Sequence, residues 1–356
     1  MNYPAHDQTF LLQQAVRDAV AAKIPLKITG GNSKAFFGRE STGHLLCVNG
    51  HEGIVNYHPS ELVITARAGT LLSTIQKTLA GQGQMLAFEP PHFADSATLG
   101  GTVASGLSGS RRPFTGAVRD FVLGCKIING KAEVLSFGGE VMKNVAGYDV
   151  SRLMAGAMGT LGILLEVSLK VLPLPAIELT VCLELNPDAA ISKMTALASQ
   201  SLPVSGLSYD GQILYVRLSG SEKAVLASIN KTGGKADKVD PLFWQNLNEQ
   251  RLEFFQNTMN LWRLCVPSAT AELDLEGDWF YDWGGGLRWL KSEESAQRIF
   301  AVAEQAQGHA LLFKGKDRTG NVFQPLSGKL QQLNRNIKQA FDPDGLFNPN
   351  RMYKDW

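Results

Sequence analysis

The stretch that decides the fold reads Asp95-Ser96-Ala97-Thr98-Leu99-Gly100-Gly101-Thr102 and continues to Ser105-Gly106-Leu107-Ser108-Gly109. Glycine lacks Cβ, so its backbone accepts a positive φ angle and can come close to a ligand. The residues from Thr98 onward have the pattern of a short helix. The free N–H groups and the positive dipole end of such a helix attract anions. We therefore expect this loop to bind a diphosphate group.

Length and composition indicate a soluble globular protein of two domains. The chain has 356 residues, too many for one ordinary compact core, and its 44% hydrophobic content is typical of a folded protein. A formal net charge of +1 gives no electrostatic basis for binding nucleic acid. No apolar run approaches the roughly 20 residues of a membrane span. The N-terminus lacks the pattern of a signal peptide, so we expect a cytoplasmic protein.

The cysteine pattern argues against a metal centre in this chain. The four cysteines are far apart, and none forms a C-x-x-C pair: Cys47, Cys125, Cys182 and Cys265. Iron–sulfur and zinc sites use thiolates clustered at short spacing. We therefore expect free thiols in a reducing compartment, and neither an iron–sulfur nor a zinc site.

The first half of the chain mixes helices and strands. The pattern predicts a helix over 9–22 capped by Asp7 or Thr9 and a helix over 71–80 capped by Thr70. It predicts strands over 26–29, 45–48, 54–57 and 62–66. It also predicts a hairpin at Asn129-Gly130 between strands 122–128 and 133–137. Residues 161–171 are apolar at every odd position, which predicts a strand with one face in water.

Pro173 and Pro175 follow that strand and indicate a domain boundary. The second half again alternates, with strands over 179–185, 262–266 and 310–313, helices over 188–200 and 222–229, a hairpin at Asp210-Gly211, and a last helix over 326–340. This mixture favours helices on one face of an antiparallel sheet. We expect three segments: domains over 1–174 and 175–325, and a C-terminal helix and tail over 326–356.

Two common nucleotide sites are excluded by their motifs. A Rossmann domain carries G-x-G-x-x-G directly after its first strand, whereas the loop here reads Gly30-Gly31-Asn32-Ser33. The chain also has no G-x-x-x-x-G-K-[ST] motif of a P-loop NTPase. A diphosphate held between two loops remains, with one loop at 30–33 and the other at 98–109.

Four motifs, in order, resemble the FAD-binding domain shared by vanillyl-alcohol oxidase and p-cresol methylhydroxylase (the PCMH type). They are Lys27-Ile28-Thr29-Gly30-Gly31-Asn32-Ser33, Ala97-Thr98-Leu99-Gly100-Gly101, the pair Lys143–Asp149 and Gly159-Thr160-Leu161-Gly162-Ile163, and the tail Asp342–Pro349. The resemblance implies an α+β fold: a two-subdomain FAD-binding domain, then a smaller α+β (ferredoxin-like) cap domain, with the C-terminal tail returning to the FAD domain. Its cofactor would be FAD.

Further segments are similar to the smaller FAD-binding subunits, or E subunits, of glycolate oxidases. These segments are Glu89–Phe93, Leu261-Trp262-Arg263-Leu264, Asp282–Leu290 and Phe323–Leu326. This resemblance implies that glycolate, a 2-hydroxy acid, is oxidised to glyoxylate by hydride transfer to flavin. It also implies a larger FAD-binding catalytic subunit and an iron–sulfur subunit as partners, with membrane association only peripheral, through those partners, at the inner face.

The resemblance also implies which residues hold FAD. They are Gly30, Gly31, Asn32, Ser33, Thr98, Leu99, Gly100, Gly101, Ser105, Gly109, Gly162 and Ile163. Some members of the family attach FAD covalently through a histidine in the first loop. Asn32 occupies that place here, so we expect non-covalent FAD.

Candidates for substrate handling come from chemistry. The planar fork of an arginine suits the carboxylate of a 2-hydroxy acid, which makes Arg263 and Arg288, each beside tryptophan, candidates for that role. His309 is a candidate base. Alternatively, both arginines extend to solvent or pair with an acid inside the second domain, and the histidine is structural.

Two departures from the hydroxy-acid branch leave other functions open. The chain lacks the branch's G-D-G-N-x-H segment, and Met158 stands where the branch has an acid. A non-catalytic flavin-binding or scaffolding subunit is therefore the alternative. A stand-alone reductase of the same fold, such as the enolpyruvyl-UDP-sugar reductases, ranks third because the segments of the second half count against it.

Overall fold

A computed structural model describes residues 6–139, 150–235, 239–256, 260–354 and 356. Its strands are β1 (Leu26–Thr29), β2 (His44–Cys47), β3 (Ile54–His58), β4 (Val63–Arg67), β5 (Gln84–Met85), β6 (Val122–Ile128), β7 (Val134–Gly138), β8 (Ile163–Lys170), β9 (Leu172–Pro173), β10 (Ile177–Glu184), β11 (Val204–Tyr209), β12 (Ile213–Gly220), β13 (Leu261–Cys265), β14 (Asp278–Asp282), β15 (Leu287–Lys291) and β16 (His309–Lys314).

Helices occur in both halves of the described chain. They are α1 (Thr9–Ala22), α2 (Leu72–Ala80), α3 (Leu99–Ser105), α4 (Arg112–Thr115), α5 (Val118–Phe121), α6 (Val150–Met154), α7 (Pro187–Ala198), α8 (Glu222–Thr232), α9 (Phe243–Asn248), α10 (Ala296–Gln305) and α11 (Gly328–Phe341). Within the described ranges, no helix is both long and apolar enough to cross a membrane.

The chain divides into two compact units. The first unit contains residues 1–108, 117–173 and 325–356, and the second contains 109–116 and 174–324. The units differ from the expected segments 1–174, 175–325 and 326–356 chiefly because 109–116 belongs to the second unit.

The first unit is built on a five-stranded antiparallel sheet in the order β3-β4-β8-β6-β7, with a separate parallel pair of β1 and β2. The expectation that one face of 161–171 is in water is wrong. Central strand β8 is covered on both faces, and its Leu164 and Ser168 are buried as well as its odd positions. The Ser168 hydroxyl satisfies its hydrogen bonding with Thr65 of β4, at 2.8 Å, instead of with water.

Helix α2 begins without the expected cap. The hydroxyl of Thr70 hydrogen-bonds the backbone N–H of Gly53 at 2.9 Å and the Gly53 carbonyl at 3.2 Å, and the helix starts after Leu71 instead. The expected hairpin is confirmed, but its loop runs from Asn129 to Glu133. The Asn129 side chain closes it by accepting from two backbone N–H groups, including that of Glu133 at 2.9 Å.

The C-terminal tail returns to the first unit, as expected. Strand β1 hydrogen-bonds the tail through the N–H of Leu26 and the carbonyl of Leu346, at 2.7 Å. The buried ammonium of Lys338 donates to the Asp342 carboxylate at 2.6 Å and to the carbonyls of Thr160 and Phe347. Asp342 in turn accepts from the N–H groups of both Leu346 and Phe347. The aspartate that opens the tail motif therefore fixes the turn that follows it.

The second unit contains a seven-stranded antiparallel sheet in the order β10-β12-β11-β14-β15-β13-β16. Helices α7, α8 and α10 lie against it. Trp262 and Leu264 of β13 join the apolar core that includes Phe300 of α10. Because side chains alternate along a strand, Arg263 and Cys265 point to the opposite face. The expected arrangement of helices against an antiparallel sheet is confirmed.

Candidate functional site

The loop after β1 is pressed against the segment before α3. The Ser96 hydroxyl donates to the Gly31 carbonyl at 2.6 Å. A Cβ on Gly31 would overlap the backbone carbonyl of Ser96, and one on Gly30 would overlap the Thr98 hydroxyl. Only glycine allows two backbones to approach this closely. The two glycines are therefore required by the contact between the loops.

The same loop carries unused hydrogen-bond donors. Across the described chain, no acceptor is found for the backbone N–H groups of Gly30, Gly31, Asn32 and Ser33. Asn32 has a φ of 59°, in the left-handed region, which curls the backbone. Successive N–H groups in such a turn form a concave anion-binding array. Residues 30–33, which we call the first loop, therefore have donors suited to a phosphate group, and their role in binding FAD stays a prediction.

At the start of the second loop (98–109), three N–H groups differ from the expectation of free donors at a helix N-terminus. The N–H of Leu99 donates to Thr70 at 2.9 Å, and that of Gly100 donates to Ala68 at 2.7 Å. The N–H of Gly101 donates to the side chain of Thr98, the N-cap, at 3.3 Å. The expectation is wrong for these three residues because the carbonyls of Thr70 and Ala68 and the hydroxyl of Thr98 already accept from their N–H groups.

A cleft of about 550 Å³ of empty space, partly open to solvent, lies beside both loops. It is lined by Ile28, Thr29, Gly30, Val48, Ala68, Thr98, Gly100, Gly101, Ala104, Met154, Ala157, Met158, Gly159, Gly162, Leu164 and Asn348. Five residues expected to bind the cofactor are therefore brought together here: Gly30, Thr98, Gly100, Gly101 and Gly162. A Cβ on Gly101 would meet only the Thr98 hydroxyl, at 3.2 Å.

The other expected cofactor residues lie elsewhere. The side chains of Leu99 and Ile163 are buried in the core of the first unit. The Ser105 hydroxyl donates to the carbonyl of Thr102 within its own helix. Gly109 belongs to the second unit, where its carbonyl accepts from the Trp283 indole at 2.9 Å. Gly31, Asn32 and Ser33 belong to the first loop but, unlike Gly30, do not line the cleft. The motif Lys143–Asp149 lies outside the described residues.

Asn348 is a cleft residue that the sequence analysis did not single out. Its side chain accepts from the N–H of Ile28 in β1 at 2.7 Å and donates to the carbonyl of Met158 at 2.7 Å. It therefore ties the strand before the first loop to the turn at Met158 and Gly159, both of which line the cleft. Asn348 is the asparagine of the tail motif Asp342–Pro349, so the motif is the sequence feature that could have indicated this role.

The chemistry of the cleft fits FAD. The first loop offers four backbone donors to a diphosphate, and the cleft walls offer apolar contacts from Val48, Met154 and Leu164. Ligand sites commonly combine a mainly apolar cleft with a few polar groups that fix orientation. FAD would be held by the first loop at its phosphates and by the cleft at its flat, largely apolar parts.

In the second unit, Arg288 is structural. Its side chain is fully buried, and its guanidinium donates to three backbone carbonyls, those of Gly285, Thr270 and Ala271. Burial lowers the pKa of Arg288, against the opposing influence of Tyr281, whose ring lies 4.8 Å from the guanidinium. With these acceptors already in place, Arg288 is not available to a substrate. Its partners are backbone carbonyls of its own unit, so it neither reaches solvent nor pairs with an acid.

Arg263 presents the opposite case. It lies on β13 with its guanidinium 5.0 Å from the centre of the Trp283 ring. Within the described part of the chain, this half-buried guanidinium has no hydrogen-bond acceptor or ion-pair partner. Arg112 of α4 lies over the same ring at 4.1 Å. Two guanidinium groups thus converge on one tryptophan, which makes this place attractive to an anion.

His309 lies near this place. It is exposed at the start of β16 and pairs across the sheet with Cys265 of β13, two residues from Arg263. The Cys265 thiol is free. Burial raises its pKa, but Arg263, a hydrogen bond with His309 and Arg112 together lower it to about 7. We call Arg112, Arg263, Trp283, Cys265 and His309 the cationic cluster.

Among the described residues, no three His, Cys, Asp or Glu side chains are grouped so that they could hold a metal ion.

Comparisons with known proteins agree with this picture. A family model described as FAD binding domain matches residues 7–138. The glycolate oxidase subunit GlcE of Escherichia coli (strain K12) is 50% identical over 349 residues, which cover 98% of each chain. The D-lactate dehydrogenase of Anaerostipes hadrus is 32% identical over 43% of this chain and 32% of its own. The glycolate oxidase subunit GlcD of Bacillus subtilis (strain 168) is 29% identical over 43% of this chain and 33% of its own.

The fold has relatives among solved structures. Alkyldihydroxyacetonephosphate synthase superposes with a TM-score of 0.67 at 16% identity, over 98% of this chain and 76% of the other. This likeness shows the fold alone. The FAD binding domain is given by the family model, which matches residues 7–138 and so includes the first loop.

Proposed function

Because the chain belongs to the family of the glycolate oxidase subunit GlcE, we propose that it is the FAD-binding subunit of a complex that oxidises glycolate to glyoxylate. The observation that carries this proposal in the first unit is the first loop, with its four unused backbone donors beside an apolar cleft. In the second unit it is Arg263, a guanidinium without a protein acceptor in the described chain.

Arg263 would bind the carboxylate of the substrate. A guanidinium offers a planar fork of donors that matches a carboxylate, and Trp283 holds one face of that fork. His309, exposed on the neighbouring strand, stays the predicted base that accepts the proton of the 2-hydroxyl group. FAD, when bound, supplies the acceptor for the hydride removed from the hydroxyl-bearing carbon. Arg288 has no part in binding, because three carbonyls already use its donors.

The electrons that the flavin receives from the substrate must then pass to another redox centre. The four cysteines of this chain are free and scattered through the sequence. An iron–sulfur subunit and a larger FAD-binding catalytic subunit are therefore the partners we propose, with any membrane association made peripherally, through those partners. Two relatives of this chain are themselves described as subunits, GlcE and GlcD.

The test compares Arg263→Gln with Arg298→Gln in the assembled complex. Arg298 is an exposed arginine of the same unit, paired with Asp274, so it controls for the loss of a positive charge. Loss of a charge-assisted hydrogen bond to the substrate is expected to raise the KM for glycolate about 10- to 100-fold in the Arg263 variant alone, with unchanged flavin content.

An unchanged KM would contradict the role of Arg263. If glycolate also fails to bleach the flavin of this subunit, while the complex still turns over, the chain is the non-catalytic flavin-binding or scaffolding subunit. The absence of the G-D-G-N-x-H segment from the sequence favours that second candidate.

A further inference from the structure

The cationic cluster contains a nucleophile that the proposed oxidation does not use. Cys265 and Arg263 are two residues apart on β13, so their side chains share one face of the sheet. His309 lies directly opposite Cys265 on β16 and hydrogen-bonds its thiol. A thiol, an imidazole and a guanidinium without a protein acceptor in the described chain are therefore neighbours on one surface.

The charges of the cluster favour the thiolate. The pKa of the thiol falls to about 7, even though burial alone would raise it, because Arg263, His309 and Arg112 all stabilise the negative charge. A lowered pKa increases the ionised fraction of the thiol at neutral pH, and the thiolate is the form that attacks electrophiles. Cys47, by contrast, is an exposed free thiol of the first unit and provides an internal comparison.

We propose that Cys265 reversibly captures an oxo acid that carries an aldehyde, with the carboxylate of that acid on Arg263. This inference rests on the proposed function, because glyoxylate, the product of glycolate oxidation, is the smallest such acid. The thiolate sulfur attacks the aldehyde carbon, a C–S bond forms, and the C=O π bond becomes a C–O single bond. The new alkoxide oxygen takes a proton from water. The product is a thiohemiacetal, and no electrons are gained or lost.

Capture at this place holds the product on the protein and slows its release. The reverse step restores the thiolate and the free aldehyde, so the effect depends on product concentration. A 2-oxo acid with a ketone in place of the aldehyde reacts less, because the ketone carbon is more hindered and less electrophilic. The cluster thus distinguishes aldehyde acids from other carboxylic acids by covalent chemistry as well as by charge.

The test uses the full-length, FAD-loaded chain and its own cysteines. Iodoacetamide labels the thiols at neutral pH, and peptide mass spectrometry follows Cys265 and Cys47 separately. Millimolar glyoxylate is expected to slow the labelling of Cys265 about tenfold, since a thiohemiacetal removes the thiolate. Oxamate carries the carboxylate without an aldehyde, and it is expected to slow the labelling no more than about twofold. Equal protection by both acids, or equal protection of both cysteines by glyoxylate, would overturn the proposal.

A second measurement detects the adduct directly. Carbon-13 NMR of [2-¹³C]glyoxylate is expected to show a protein-bound thiohemiacetal signal that Cys47→Ser leaves in place and Cys265→Ser removes. Arg263→Gln is expected to weaken the signal about tenfold by removing the carboxylate partner. Persistence of the signal in Cys265→Ser would contradict capture at this thiol. Capture without flavin bleaching by glycolate would contradict the proposed oxidation alone, and bleaching without capture would contradict only this inference.

Discussion

The two glycine-rich loops of the first unit look equivalent in the sequence, but they differ in what their backbones already bind. The N–H groups of 30–33 have no acceptor in the described structure. Those of Leu99, Gly100 and Gly101 donate to Thr70, Ala68 and Thr98. The first loop therefore offers a diphosphate four successive donors, whereas these three donors of the second loop are used within the protein. The second loop contributes a wall of the cleft, where Gly101 leaves space.

The two arginines of the second unit show the same contrast. Arg288 is fully buried and hydrogen-bonded to three carbonyls, whereas Arg263 has no acceptor in the part of the chain that the structure describes. Each is adjacent to a tryptophan in the sequence, so the neighbouring residues could not show which arginine has internal acceptors and which has none. In both units, groups with internal partners hold the fold, and groups without partners are available to a ligand. Variants of the two kinds should affect stability and binding separately.

The largest effect is expected from Gly31→Ala. The added Cβ would overlap the backbone carbonyl of Ser96, which cannot rotate away as a side chain can. Overpacking of this kind costs about 3 kcal/mol of unfolding free energy, and the first loop would lose its shape, so the variant should also lose FAD. Urea unfolding and the flavin content of the purified chain measure the two losses. Gly328→Ala is the control, because a Cβ there meets nothing within 4 Å. Equal stability of the two variants would contradict the close contact between the loops.

Arg288→Met is expected to come next. Removing the guanidinium leaves the carbonyls of Gly285, Thr270 and Ala271 without their donor, at about 1–3 kcal/mol for each buried group left unpaired. We expect a loss of about 3 kcal/mol in total, since the methionine partly fills the space and water reaches some of the groups. Thermal unfolding of the second unit measures it. Arg298→Met, at an exposed ion pair, should cost no more than about 1 kcal/mol. A stable Arg288 variant with impaired glycolate oxidation would reverse the assigned roles of the two arginines.

Gly101→Val tests the cleft without disturbing the fold. Its Cβ would meet only the Thr98 hydroxyl, at 3.2 Å, and Gly101 lines the cleft, so we expect the extra methyl groups to narrow it. We expect FAD affinity to fall about 100-fold, or about 2.7 kcal/mol, while the unfolding of the FAD-free chain changes by less than 1 kcal/mol. Flavin titration by fluorescence measures the affinity. Gly101→Ala should give a smaller loss in the same direction, and wild-type affinity in both variants would place FAD elsewhere.

Much of the fold was predictable because its signals are local. Helix 9–22, strand 26–29 and the hairpin at Asn129 were found from periodicity and turn chemistry. The cap of α2 was not, because the Thr70 hydroxyl bonds Gly53, 17 residues away. Both faces of β8 are buried because the strand is central in the sheet, and the alternation of apolar residues along the strand does not show that position.

The candidate site was predictable in part for a related reason. Motifs identified Gly30, Gly101 and Gly162, which do line the cleft. They did not reveal that the N–H groups of Leu99 and Gly100 are already used, because the acceptors on Thr70 and Ala68 lie on a distant segment. Arg112 escaped notice since its contact with Trp283 joins positions far apart in the chain. Composition and spacing identify which groups can bind, but only the folded neighbours decide which of them stay available.

The smallest effect on stability is expected at Asp7, an exposed residue whose side chain is bonded to other groups of the protein. Its carboxylate accepts the N–H of Thr9 at the start of α1, at 2.8 Å, and ion-pairs with Arg67 at 3.3 Å. Hydrogen bonds from Thr9, with smaller help from Arg67 and His51, lower the pKa of Asp7 from 3.8 to about 2. Because the folded state holds the proton less tightly than the unfolded state, the ionised carboxylate stabilises the protein above pH 4. That stabilisation is lost as the pH falls from about 4 to 2.

Solvent screens this half-exposed group, so Asp7→Ala should cost less than about 1 kcal/mol at pH 7. The difference from wild type should shrink between pH 4 and pH 2, as followed by urea unfolding at each pH. Asp18→Ala is the matched control, because Asp18 is an exposed carboxylate of the same helix. If Asp7→Ala lost as much unfolding free energy as Arg288→Met, burial would not determine how much a side chain stabilises the fold through its contacts. A cost that stays constant down to pH 2 would mean that the carboxylate charge has no part in it.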